Sequence, residues 1–199
     1  MDIPVLGAEV PKRGNLITRA IGRILLVVYR WRIKGELHNS SKFIVVLAPH
    51  TSYWEFFIGK AVMLAMGFRA SFLVGDTYAW WPFGAFLRWL GGIPVNRRAH
   101  HNVVSQVVGA FNEAESLMLV LTPEGTRKKV SHWKSGFWHI AKQAGVPIQL
   151  ASFDYDKRFT EFGPVIKQSD SYESDLEKIQ NHYKSFKAKN PDKFGGEYL

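Results

Sequence analysis

The chain contains no cysteine, which excludes disulfides, thiolate metal sites and cysteine nucleophiles and fits a reducing compartment. No apolar run approaches the roughly 20 residues that span a bilayer. In the segment Lys12–Arg32 the longest is only Ile24–Tyr29. Met1–Val10 holds Asp2 and Glu9 and no basic start before an apolar stretch, so no secretory signal is expected. Gly-x-Ser-x-Gly is missing, and with it the nucleophile elbow of one acyl-enzyme mechanism. Acidic residues are absent from Val10 to Gly35, where seven Lys or Arg residues lie. The formal net charge is +9, which implies an anionic partner: anionic lipid, nucleic acid or a phosphorylated metabolite.

What is present is a chain of 199 residues, most simply read as one domain, 1–199, large enough to bury a real core. Apolar runs alternate with helical patterns. Strands are expected at Phe43–Leu47, Ala70–Val74, Leu117–Leu121 and Val146–Phe153, with a turn and short strand over Gly91–Val95. Helices are expected at Lys12–Arg32, Tyr53–Met66, His101–Glu113 and Gly136–Ala144, with a polar one at Tyr172–Lys189. That alternation predicts an α/β fold: a mostly parallel central sheet flanked by helices, with a basic amphipathic helix at the N-terminus.

Two segments suggest a surface for lipid. In 12–32, Leu16, Ile17, Ala20, Ile21, Ile24, Leu25 and Val28 recur at helical spacing, while Arg19, Arg23 and Arg30 fall on another stripe. Such a helix either lies in a membrane interface or packs on the core with a solvated basic edge. The segment Tyr78–Leu90 is almost wholly apolar and carries Trp80, Trp81 and Trp89. A small domain would struggle to hide all these rings, which favours an exposed, lipid-binding face over core packing.

Polar motifs follow the apolar runs. His50 stands where the strand Phe43–Leu47 ends, and Glu55 lies five residues on, in the start of a helix. An imidazole with a carboxylate in reach is suited to deprotonating a hydroxyl at neutral pH. Thr51 or Ser52 is placed to cap that helix. Gly92-Ile93-Pro94-Val95-Asn96-Arg97 ends a short strand in a cation; Arg97 offers a planar donor fork for a phosphomonoester, with Arg98 a weaker candidate. Pro123-Glu124-Gly125-Thr126-Arg127 follows Leu117–Leu121 and suits a polyol phosphate: Glu124 for a hydroxyl, Arg127 and the backbone of Gly125 and Thr126 for anionic oxygens.

In this order the blocks resemble the glycerolipid acyltransferase family that includes the 1-acylglycerol-3-phosphate acyltransferases. The family's histidine-x4-aspartate motif matches His50–Glu55, and its glycine-rich block ending in arginine matches Gly92–Arg97. The proline-glutamate-glycine-threonine-arginine block matches Pro123–Arg127, and the late hydrophobic-proline block matches Val146-Pro147-Ile148. The likeness covers about residues 40–155, with Glu55 standing where the family usually has aspartate.

The resemblance implies that His50 and Glu55 are catalytic and that Arg97, Glu124, Gly125, Thr126 and Arg127 bind substrate. It implies acyl transfer from acyl-CoA or acyl carrier protein to a lysophospholipid, most simply 1-acylglycerol-3-phosphate, with no cofactor beyond the thioester co-substrate. The expected place is the cytoplasmic face of a membrane, peripheral or monotopic, against an anionic surface. Alternatives are another acceptor such as a lyso-ornithine lipid, or a non-catalytic basic module binding lipid or nucleic acid. No nucleic-acid signature accompanies the charge, so no nucleic-acid partner is expected. Adjacent His100 and His101 lack further ligands, so no metal is expected. Ser131-His132-Trp133-Lys134 has Ser-x-x-Lys spacing without its companion motifs.

Overall fold

Asn15 opens the first helix: its side chain accepts the Thr18 N–H at 3.0 Å while Thr18 Oγ1 accepts the Asn15 N–H at 2.8 Å. This reciprocal capping box fixes the start of α1, Leu16–Val28. The helix is shorter than the expected 12–32, because Arg30 at φ 54° turns the chain and Arg32–Gly35 becomes a strand, β1. The computed structural model describes residues 2–76, 82–96 and 102–195. After β1 come β2 (Lys42–Leu47), α2 (Trp54–Met66), β3 (Ser71–Gly75), α3 (Phe83–Trp89) and β4 (Gly92–Val95). They are followed by α4 (Asn102–Glu113), β5 (Leu117–Leu121), α5 (Gly136–Ala144), β6 (Ile148–Asp154), β7 (Phe159–Ile166) and α6 (Tyr172–Tyr183).

Among the described residues the strands form one sheet in the order β1-β7-β6-β2-β5-β3-β4. Every pairing is parallel except β6 with β7. The fold is therefore the expected α/β architecture with a mostly parallel sheet. Side chains alternate across it as strand geometry requires. Ile44 and Val46 of β2 join one core with Leu119, Leu150, Phe111, Phe137 and Ile179. Phe43 and Val45 join the other with Leu26, Ile58, Val62, Met118 and Phe153. Helices α4, α5 and α6 cover the first face, and α1 and α2 the second.

The helix α1 presents its apolar arc outward. Leu16, Ile17, Ile21, Ile24, Val27 and Val28 are all exposed, whereas Gly22 and Leu26 are buried. At about 100° per residue the exposed apolar positions cover roughly 140° of the helix. Gly22 permits the close crossing onto α2: a Cβ there would lie 2.2 Å from the Ala65 nitrogen. The apolar face continues on α2 with exposed Trp54, Phe56 and Phe57, and on α3 with exposed Phe83, Phe86 and Trp89. Two cations hold the C-terminal end of α3, where carbonyls lack helical partners. Arg13 Nη1 donates to Trp89 O at 2.6 Å and Lys60 Nζ to Leu90 O at 3.0 Å. Burial, with the Arg13 charge adding, lowers the Lys60 pKa to about 8. No helix among the described residues is long and apolar enough to cross a membrane.

Candidate active site

Parallel pairing decides where the motif loops emerge. Val46 stands opposite Leu121 in the β2–β5 register, so the loops after β2 and β5 leave the same edge of the sheet side by side. In parallel sheets ligands bind beyond that carboxyl edge. Tyr183 anchors the strand end, donating its hydroxyl to Val46 O at 2.6 Å. The Ala48–Pro49 peptide is cis, and His50 follows.

His50 and Glu55 meet. Imidazole Nδ1 lies 2.7 Å from Glu55 Oε2, with the His50 side chain 15% exposed and that of Glu55 1%. The other carboxylate oxygen, Oε1, accepts the Thr51 N–H at 3.0 Å and the Thr51 hydroxyl at 3.3 Å. Commitment of Nδ1 to the carboxylate leaves Nε2 as the nitrogen that takes a proton. Glu55 thus reaches back from the first turn of α2 to the Thr51 N–H, in the loop before the helix. Thr51 and Ser52 do not serve as the N-cap; Tyr53 occupies that position without a side-chain bond, and Ser52 Oγ accepts the Trp54 N–H at 3.2 Å.

The second loop supports the first. Glu124 is buried, and both its oxygens receive the His50 backbone N–H, at 3.1 and 2.9 Å. The side chain expected to meet a substrate hydroxyl is therefore turned onto the histidine's own backbone. Burial raises the Glu124 pKa to about 8; the His50 N–H opposes this shift and the Glu55 charge adds to it. Gly125 adopts φ 64°, and a Cβ there would come within 3.0 Å of the Lys134 side chain. Thr126 Oγ1 accepts the Lys128 N–H at 3.3 Å. The Arg127 guanidinium lies over the Tyr53 ring at 4.0 Å, joining the two loops by a cation–π contact. Arg97 and Arg98 lie outside the described residues, as do His100, His101 and the segment 77–81 with Trp80 and Trp81.

The Glu124 shift has a consequence for stability. Free glutamate loses its proton near 4.5 and Glu124 near 8, so between those values the folded chain holds a proton that the unfolded chain has released. Native stability contributed by this group is present below the lower value and falls as pH rises through the upper one. Glu124→Gln, which cannot ionise, should gain on the parent by about 2 kcal/mol between about pH 6 and about pH 8. Urea midpoints of both proteins at the two pH values check this; a constant difference would mean that Glu124 is ionised throughout.

Several supports were not legible in the motifs. Thr51 is 2% exposed and lies between Glu55 and Asn190, whose backbone N–H donates to Thr51 Oγ1 at 3.2 Å and whose Nδ2 donates to Thr51 O at 2.9 Å. Burial, with the Glu55 charge adding, raises the Tyr155 pKa and keeps its phenol protonated near the dyad. Among the described residues no cluster of three His, Asp or Glu side chains is placed to hold a metal. The arrangement suits one chemistry: an imidazole polarised by Glu55, its backbone held by Glu124, taking a proton from a hydroxyl and returning it to a leaving group.

A family model described as Acyltransferase matches residues 30–152. Among solved structures, the chain is similar to PlsC from Thermotoga maritima, a 1-acyl-sn-glycerophosphate (LPA) acyltransferase. The identity is 17% and the TM-score 0.59, over 87% of this chain and 80% of that one. At that identity the likeness concerns the fold. No curated protein compared with the chain matches it.

Proposed function

Because the chain belongs to the acyltransferase family, we propose that it moves a fatty acyl group from a thioester to the free hydroxyl of a lysophospholipid, forming phosphatidic acid from 1-acylglycerol-3-phosphate. The observation that carries this reading is the 2.7 Å His50–Glu55 contact at the carboxyl edge of β2, beside the Pro123–Arg127 loop. His50 Nε2 removes the acceptor hydroxyl proton as that oxygen attacks the thioester carbonyl. A C–O ester bond forms and the C–S bond breaks. The imidazolium, stabilised by Glu55, returns its proton to the departing thiolate. The fold match to an LPA acyltransferase makes this acceptor the first choice. Arg127, and Arg97 if it reaches the same edge, would meet the acceptor phosphate.

The outward apolar faces of α1, α2 and α3, with Arg23 exposed on α1, support docking to an anionic membrane surface. The protein would then be peripheral or monotopic, on the cytoplasmic face where acyl-CoA and acyl carrier protein are found. The double change Ile17→Glu and Ile24→Glu, at two exposed positions, should lower co-sedimentation with phosphatidylglycerol vesicles about 10-fold or more. Unchanged binding would remove α1 from the surface.

The reaction is tested on vesicles with both donor types and with lysophosphatidic acid, other lysophospholipids and lyso-ornithine lipid as acceptors, the products read by mass spectrometry. Phosphatidic acid, with thiol release that depends on acceptor, is expected. Product from lyso-ornithine lipid alone would keep the chemistry and reassign the acceptor. No product with any pairing would reject catalysis and leave a lipid-binding module.

A further inference from the structure

We propose that Asn190, carried on a strap that crosses the carboxyl edge of the sheet, is a positioning residue for the His50–Glu55 pair; this rests on the acyl-transfer reading above. The strap runs through residues 186–195, beyond the part of the chain that the family model matches. It touches each loop of the site in turn. Lys187 O accepts the Tyr155 N–H at 2.9 Å, just past β6. Lys189 Nζ lies over the Trp54 ring at 4.7 Å, at the start of α2. Asn190 makes its two bonds to Thr51, and Gly195 sits so close to Val130 that a Cβ would be 2.6 Å from its carbonyl oxygen. Phe186 and Ala188 are buried, which pins the strap between these contacts.

The bonds have a direction. Thr51 Oγ1 accepts the Asn190 N–H at 3.2 Å, so its own proton is free to point to Glu55 Oε1 at 3.3 Å. With Oε1 saturated by the Thr51 hydroxyl and N–H, the remaining oxygen, Oε2, turns to His50 Nδ1. Glutamate carries one more rotatable bond than aspartate, so a carboxylate at this position needs that extra restraint to hold one orientation. Asn190 supplies it through Thr51, from 139 residues away in sequence, its Nδ2 bond to Thr51 O holding the backbone N–H in place on Thr51 Oγ1.

Asn190→Ala keeps the backbone N–H but loses the Nδ2 bond to Thr51 O that clamps it against Thr51 Oγ1. It should lower kcat about 10-fold with KM changed less than about 2-fold, since the clamp orients the base and does not bind substrate. Thr51→Val should behave alike, and Thr51→Ser, which keeps the hydroxyl, should restore most of the rate. In a Glu55→Ala background the Asn190→Ala change should cost less than about 2-fold, because the group it acts through is gone. A second measurement does not need turnover: the low-field Nδ1 proton of His50, seen by NMR in histidine-labelled protein, should shift or broaden in Asn190→Ala and return to its wild-type position in Thr51→Ser. Thermal unfolding establishes that each variant is folded. An unaltered His50 proton in folded Asn190→Ala, or rate effects of Asn190→Ala that persist in Glu55→Ala, would overturn the proposal. Absence of turnover in the parent protein with every acceptor would instead reject the reaction, while the NMR comparison would still decide the strap.

Discussion

His50→Ala should lower acceptor-dependent thiol release by about 10²- to 10⁴-fold, the range that general base catalysis supplies. The loss should appear in kcat and in kcat/KM alike, since the imidazole acts on the proton in flight and holds neither lipid nor thioester. Vesicle binding should not change: the exposed apolar residues of α1 and α3 are separate from the histidine side chain, which is 15% exposed. The fold should also survive, because the substitution leaves the backbone N–H that Glu124 accepts. Thiol release read with a chromogenic disulfide, alongside vesicle co-sedimentation, separates the two functions. Retained turnover would remove the base from the mechanism; joint loss of turnover and vesicle binding would make the histidine structural.

Glu55 gives the second large effect. Glu55→Gln keeps the size and removes the charge that faces Nδ1 at 2.7 Å, so turnover should fall about 10²- to 10³-fold. Glu55→Asp is more informative, because aspartate is the acid the family usually carries here. Shortening the side chain by one methylene withdraws the carboxylate by about 1.5 Å. Thr51 and His50 now hold its two oxygens on opposite sides, and both contacts cannot be kept unless the start of α2 moves. A loss of about 10-fold is expected for Glu55→Asp, even though it restores the family's usual residue. Steady-state rates of the two variants check this. Unchanged turnover in Glu55→Gln would exclude the acid from catalysis, and a faster Glu55→Asp would mean that the loop is not built around glutamate.

The dyad was legible because its members are close in sequence, one in the loop and one in the first turn of α2, behind an apolar run that had to be a buried strand. The same holds for β5 and the Pro123–Arg127 loop that follows it. Parallel pairing, inferred from the alternation of elements, then placed both loops on one edge. Two strands escaped the sequence pattern. In β1 only Ile33 is buried, so Arg32–Gly35 shows no alternation to find. In β7 Gly163 and Pro164 interrupt the run, and Pro164 is tolerated because it lies where the β6–β7 register is shifting. For α1 the periodicity revealed an apolar face but not what would cover it; the structure leaves that face open. The role of Glu124 was hidden for another reason: its partner is a backbone N–H 74 residues distant, and no residue type announces such a contact.

The sequence separations around the dyad also bear on how the molecule comes to be active. His50 and Glu55 are neighbours and can approach as soon as α2 nucleates. Their supports are not local: Glu124 comes from 74 residues away and Asn190 from 139. Contacts of that span close large loops and form late along a folding route, after local helices and the first strand pairings. A chain with its helices in place but its distant segments undocked would hold a histidine beside an acid and still lack an organised base. Under the proposed acyl-transfer reading, competence is therefore tied to completion of the fold, and partly folded molecules would lack an organised base.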